Sequence, residues 1–115
     1  METTKAVASL AALAQDNRLD IFRLLVQAGP EGMAAGQVAE RLGLAPNTLT
    51  FHFDRLRFAG LVTVRRDGRS MIYAARYEAM NSLIAFLTEN CCQGAPCMPE
   101  AACKPAHTKR AKVSA

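Results

Sequence analysis

All four cysteines of this 115-residue chain lie near its C-terminus, in the stretch ENCCQGAPCMPEAAC: Cys91, Cys92, Cys97 and Cys103. Thiolates are soft ligands that select soft ions and exclude a hard ion such as magnesium. Gly94 and Pro96 allow a tight return between Cys92 and Cys97, so three sulfurs from one chain can converge on a single ion. Trigonal thiolate coordination suits trivalent arsenic or antimony. A fourth thiolate would instead suit tetrahedral zinc or cadmium, although Cys-Cys-x4-Cys-x5-Cys departs from the closely paired cysteines of structural zinc sites. Cys103 is therefore either a replacement for Cys97 or an addition to it. Oxidation is the other chemistry open to the cluster, with Lys104 placed to lower a neighbouring thiol pKa.

The elements that position this cluster come before it. The length allows a single domain with one core and little room for an enzyme cleft. Half of the residues are apolar and 21% are charged, an ordinary globular balance. The N-terminal stretch lacks the pattern of a secretory signal, and no apolar run approaches the roughly 20 residues that cross a bilayer. A cytoplasmic protein is expected, and in a reducing compartment clustered cysteines point to metal binding or redox chemistry rather than structural bridges. No Ser/His/Asp set, glycine-rich phosphate loop or carboxylate pair is evident, so the chain is not expected to be an enzyme or to hold an organic cofactor.

Val7, Leu10, Leu13 and Ala14 predict a first helix ending near Gln15, with Asp16 or Asn17 capping the next. The second, RLDIFRLLVQA, is apolar around most of its circumference and stops at Gly29-Pro30, so it is the candidate central helix. Val38, Ala39 and Leu42 form one short amphipathic face, and Leu49, Phe53 and Leu56 another. Between them lies Gly43-Leu44-Ala45, and Pro46 suits the first turn of the following helix. Two helices joined by a tight glycine-containing turn describe a helix-turn-helix. After Gly60 the period changes to two on either side of Asp67-Gly68, which predicts a hairpin with strands at 61–66 and 69–75. A last helix is expected from Tyr77 to Thr88, with Tyr77, Met80, Leu83, Ile84 and Leu87 on one stripe. Three prolines after it (Pro96, Pro99, Pro105) oppose further helix.

Net charge is +4, but its placement is more informative. Five arginines against two acids lie between Asp54 and Arg69, a local excess suited to phosphates. Asn47, Thr48, Thr50, Phe51, His52 and Arg55 are read as the exposed face of the second helix of the pair, with groups that reach base edges and phosphates in a major groove. Arg57 belongs to the same basic patch, and Arg65, Arg66 and Arg69 bracket a projecting hairpin that suits the DNA backbone or minor groove. Double-stranded DNA is the expected partner.

In combination, ALAQDNRLDIFRLL, VAERLGLAPNTLTFHFDRLRFAGLV and RRDGRSMIYAA resemble the ArsR/SmtB family of bacterial winged-helix repressors over about residues 6 to 90. The resemblance implies a mainly α fold with a β-hairpin wing, assembled as a homodimer through its first and last helices. It divides the chain into a DNA-binding and dimerisation domain at 1–90 and a cysteine-rich segment with a basic tail at 91–115. It also implies a transcriptional repressor of resistance genes, released from operator DNA when arsenite or antimonite binds. The Cys-Val-Cys motif of the best-known arsenic sensors in the family has no counterpart in AAGQVAERL. The expected ligands are therefore the relocated Cys91, Cys92 and Cys97. A thiol redox sensor and a zinc or cadmium sensor on the same scaffold are the alternatives.

Overall fold

The computed structural model describes residues 1–94. Helix α1 (Thr3–Leu13) turns only Ala6 and Ser9 fully inward and leaves Val7 and Leu10 exposed. Helix α2 (Asp16–Ala28) sends Ile21, Phe22 and Leu25 into the core. Its N-cap differs from expectation. Gln15, with an extended backbone, accepts from the Arg18 amide through its side chain at 3.0 Å, leaving Asp16 and Asn17 inside the first turn. An amide oxygen one bond further out reaches the same orphan N–H that an aspartate or asparagine cap would satisfy.

A strand absent from the sequence reading follows. Met33–Ala34 (β1) pairs antiparallel with the second wing strand, Met33 opposite Tyr73 and Ala34 opposite Ile72. Two residues are too few to display a period of two. The sheet has three strands in the order β1-β3-β2, where β2 is Val62–Asp67 and β3 is Ser70–Ala75. Asp67 lies opposite Ser70, so Gly68 and Arg69 form the turn. Gly68 takes φ +65° at its first position, where a type II′ turn places glycine.

The helix-turn-helix comprises α3 (Ala35–Leu42) and α4 (Pro46–Phe58). Gly43 at φ +67° provides the left-handed cap between them, and Pro46 occupies the first turn of α4. Helix α5 (Tyr77–Leu87) is fixed to α2 by the Tyr77 hydroxyl, which donates to the Val26 carbonyl at 2.8 Å. The core gathers Ile21, Phe22 and Leu25 from α2, Val38 from α3, and Leu49, Phe53 and Leu56 from α4, closed by Leu61, Val62 and Ala75. Phe53 stacks on Tyr73 with centroids 3.6 Å apart and planes 2° from parallel, so α4 is seated directly on β3. Among the described residues no helix is long and apolar enough to cross a membrane.

Candidate nucleic-acid interface

Helix α4 has one buried face, Leu49, His52, Phe53 and Leu56. Everything it offers a partner lies on the remaining surface, which divides into two sides. Phe51, Arg55 and Phe58 turn towards α1, where with Ala8, Ala11, Ala12, Arg18 and Ala59 they line a groove of about 450 Å3. The Arg55 guanidinium lies over the Phe51 ring, 5.0 Å from its centroid. Asp54 and Arg57 turn towards the sheet and act on the Tyr73 phenol. Burial first, then the Asp54 carboxylate, raises that phenol above its ordinary pKa, with Arg57 opposing.

The first turns of α4 present Asn47, Thr48 and Thr50, all exposed. The Asn47 side chain accepts from the Thr48 amide at 2.9 Å, and the Thr50 hydroxyl donates to the Pro46 carbonyl at 3.0 Å. Both contacts are local to the helix start and leave further lone pairs for a partner. Arg57 donates to Asp54 at 3.3 Å, with both side chains nearly half exposed, a pair weak enough to exchange for a phosphate.

The wing arginines are not equivalent. Arg66 and Arg69 are exposed beside the turn. Arg65 reaches back to donate to the Glu31 carbonyl at 2.9 Å and so braces the hairpin against the loop before β1.

His52 corrects the sequence reading. Its expected place on the exposed face of α4 is taken by its neighbours, and the ring is only 6% exposed. Leu49, Phe53 and Leu56 define the inner stripe, and a residue three positions after Leu49 falls on that stripe's edge. Its Nδ1 lies 3.3 Å from an Arg18 guanidinium nitrogen. Desolvation first, then the Arg18 charge, lowers its pKa from the ordinary 6.5. Arg18 was not among the sequence candidates. An arginine at the start of an amphipathic helix gives no sign that it will fold inward.

Beyond α5 the chain turns sharply. Asn90, Cys92 and Gln93 all take φ between +54° and +57°, left-handed backbone that non-glycine residues rarely adopt. Cys91 is half-buried at the start of this turn, and Cys92 is disulfide-bonded. Cys97 and Cys103 lie outside the described residues. Among those described, no group of three histidine, cysteine or acidic side chains is placed to hold a metal.

Comparison with known proteins agrees with this architecture. A helix-turn-helix domain family matches residues 13–65. The HTH-type transcriptional regulator YgaV of Escherichia coli is 33% identical over 88 residues, which cover 76% of this chain and 87% of that protein. An ArsR-like transcriptional regulator from Rhodococcus superposes with a TM-score of 0.64 at 26% identity, over 73% of this chain and 76% of that one. The homodimeric winged helix-turn-helix DNA-binding domain Mb0332 of Mycobacterium bovis gives 0.62 at 28% identity, over 73% and 75%. With its helix-turn-helix seated on a three-stranded wing sheet and its similarity to transcriptional regulators rather than enzymes, the chain belongs to the ArsR family of winged helix-turn-helix DNA-binding regulators.

Proposed function

We propose that the protein is a metalloid-released repressor: a homodimer that holds double-stranded operator DNA and lets go when trivalent arsenic or antimony binds Cys91, Cys92 and Cys97. The observation that carries this reading is the position of the adjacent Cys91 and Cys92, both of which can serve as ligands once the disulfide at Cys92 is reduced. They lie just beyond α5, after Thr88, Glu89 and Asn90, and α5 leaves Ile84 and Leu87 exposed, as α1 leaves Val7 and Leu10. These apolar faces suit a second copy of the chain, so an ion gathered at the end of α5 acts where two copies meet. The donor set is soft, as a thiophilic ion requires. Two copies related by a two-fold axis present their α4 helices to successive major grooves about 34–36 Å apart. Binding releases DNA only if the ion prefers the state that cannot span those grooves. A preference of ~3 kcal/mol lowers operator affinity roughly 150-fold.

The test is a gel-shift titration, under reductant, on a duplex that the protein itself selects from a randomised library. Arsenite should release the wild type, whereas Cys91→Ser with Cys92→Ser should bind the duplex normally and ignore arsenite. Release of that double variant by arsenite would reject the assignment.

The disulfide at Cys92 favours one second reading, a redox switch on the same thiols. Two thiols give up two electrons and two protons to a peroxide, which leaves as water, and the new bond takes the place of coordination. Release by peroxide but not by arsenite would select this reading.

A further inference from the structure

Arg18 sits in the first turn of α2 with its own amide held by the Gln15 side chain. Its Nε donates to the Ala12 carbonyl in the last turn of α1 at 2.7 Å. Its terminal nitrogen reaches His52 Nδ1 on α4 at 3.3 Å. A single guanidinium therefore ties three helices together, using two edges of a rigid fork. His52 is buried, and its ring meets Phe51 edge-on at 5.6 Å.

We infer that Arg18 is the positioning residue of the recognition helix, setting α4 on operator DNA through His52, and that protonation of the imidazole opens this clasp and weakens DNA binding. The inference rests on the DNA-binding reading above and assigns that site a control built into its inner face. A neutral imidazole accepts through one nitrogen, whereas both nitrogens of an imidazolium are donors. Protonation therefore removes the acceptor and leaves two cations in contact. The charged neighbours do not relieve this. Arg18 faces the ring from α2, Arg55 lies beyond Phe51 on the same helix, and α1 contributes Ala8, Ala11 and Ala12 to the adjoining groove. Asp54 lies on the side of α4 facing Tyr73. The lowered imidazole pKa follows from the same geometry: the ring is neutral around pH 7 and charges only below the ordinary histidine value.

An alternative role for His52, a cationic contact to phosphate, predicts the opposite sign. An imidazolium on the backbone would tighten binding as the solution is acidified.

The experiment uses the full reduced chain and the duplex selected from a randomised library, read by fluorescence anisotropy between about pH 7.5 and about pH 5.5. Wild type should lose affinity steadily across this range, by no more than about tenfold, because an imidazole whose pKa lies below the ordinary 6.5 is still partly neutral at the lower pH and linkage limits the loss to its protonated share. His52→Asn, whose Oδ1 can accept from Arg18 and does not titrate, should lose no affinity on acidification, whatever its affinity at the upper pH. Arg18→Leu should bind about tenfold more weakly or worse at either pH. His107→Asn, which removes the only other histidine of the chain, should keep the wild-type profile. If Arg18→Leu fails to fold, the His52→Asn profile decides. A flat wild-type profile, tighter binding in acid, or a pH dependence that survives His52→Asn overturns the inference. Failure of the wild type to select any duplex overturns the DNA-binding reading as well.

Discussion

Gly32 offers a sharp test of how the wing sheet supports α4. It lies at φ +79°, and a Cβ there would press into the Tyr73 carbonyl oxygen, with the carbonyl carbon at 3.0 Å and the Ala74 Cβ at 3.1 Å. Gly29, three residues earlier, also has a positive φ, +93°, but a Cβ on it meets nothing within 4 Å. Alanine at either position carries the left-handed strain, about 1–3 kcal/mol. Only Gly32→Ala must also push β3 away. The obstructing atoms are mostly backbone and cannot rotate aside, so a further ~1–3 kcal/mol is expected, as for an overpacked core. The difference between the two variants, about 2 kcal/mol, isolates the backbone collision. With a urea m-value of about 1–3 kcal/mol/M, Gly32→Ala should unfold roughly 1 M earlier than Gly29→Ala at equal protein concentration. Tyr73 carries Phe53 on its face, so a displaced β3 also tilts the recognition helix. Folded Gly32→Ala should therefore bind operator less well than Gly29→Ala. Equal midpoints, or a milder loss at Gly32, would refute the close approach of the two backbones.

Arg69→Ala should weaken binding to specific and non-specific duplexes alike and reduce the slope of log affinity against log salt by about 0.9, the value for one phosphate contact; an unchanged slope would remove Arg69 from the interface. Leu87→Glu places a charge on a side chain that is 58% exposed in the single chain, so the fold should survive while sedimentation reports a monomer. A persistent dimer would place the contact elsewhere.

The elements that carry the core were legible in the sequence because their signals are local. Leu49, Phe53 and Leu56 recur at helical spacing and are all buried, Pro46 opens α4, and the Asp67-Gly68 pair marks the hairpin within one residue of its observed strands. Long-range features were not legible. Strand β1 exists because a sheet edge is available far along the chain, at Ile72 and Tyr73 opposite Ala34 and Met33, and nothing in Met33-Ala34 announces it. His52 has a residue type common on DNA-facing helices, and only the arrival of α2 beside α4 turns it inward. Arg65 shows the same limit, since its partner is a backbone carbonyl of a distant loop. Of the thiol cluster, the sequence supplies donor type and spacing, while Cys97 and Cys103 lie outside the described residues.

The placement of Arg18 suggests how two distant surfaces can act together. Its acceptor on α1, the Ala12 carbonyl, belongs to the helix whose outer face exposes Val7 and Leu10, and α1 also packs beside α5, from which the thiols depart. Its other acceptor belongs to α4. A movement of α1 that follows a change at the end of α5 cannot leave this guanidinium undisturbed: either α4 follows, or one of two hydrogen bonds to a cation is lost in a partly buried place. Each outcome costs free energy on the scale of a useful coupling, about 1–3 kcal/mol. In the homodimer proposed above, the bond network that holds the recognition helix at rest would make its position sensitive to a second copy packed on α1 and α5, and Arg18→Lys, which keeps the charge but not the fork, should bind operator yet respond less to the proposed metalloid.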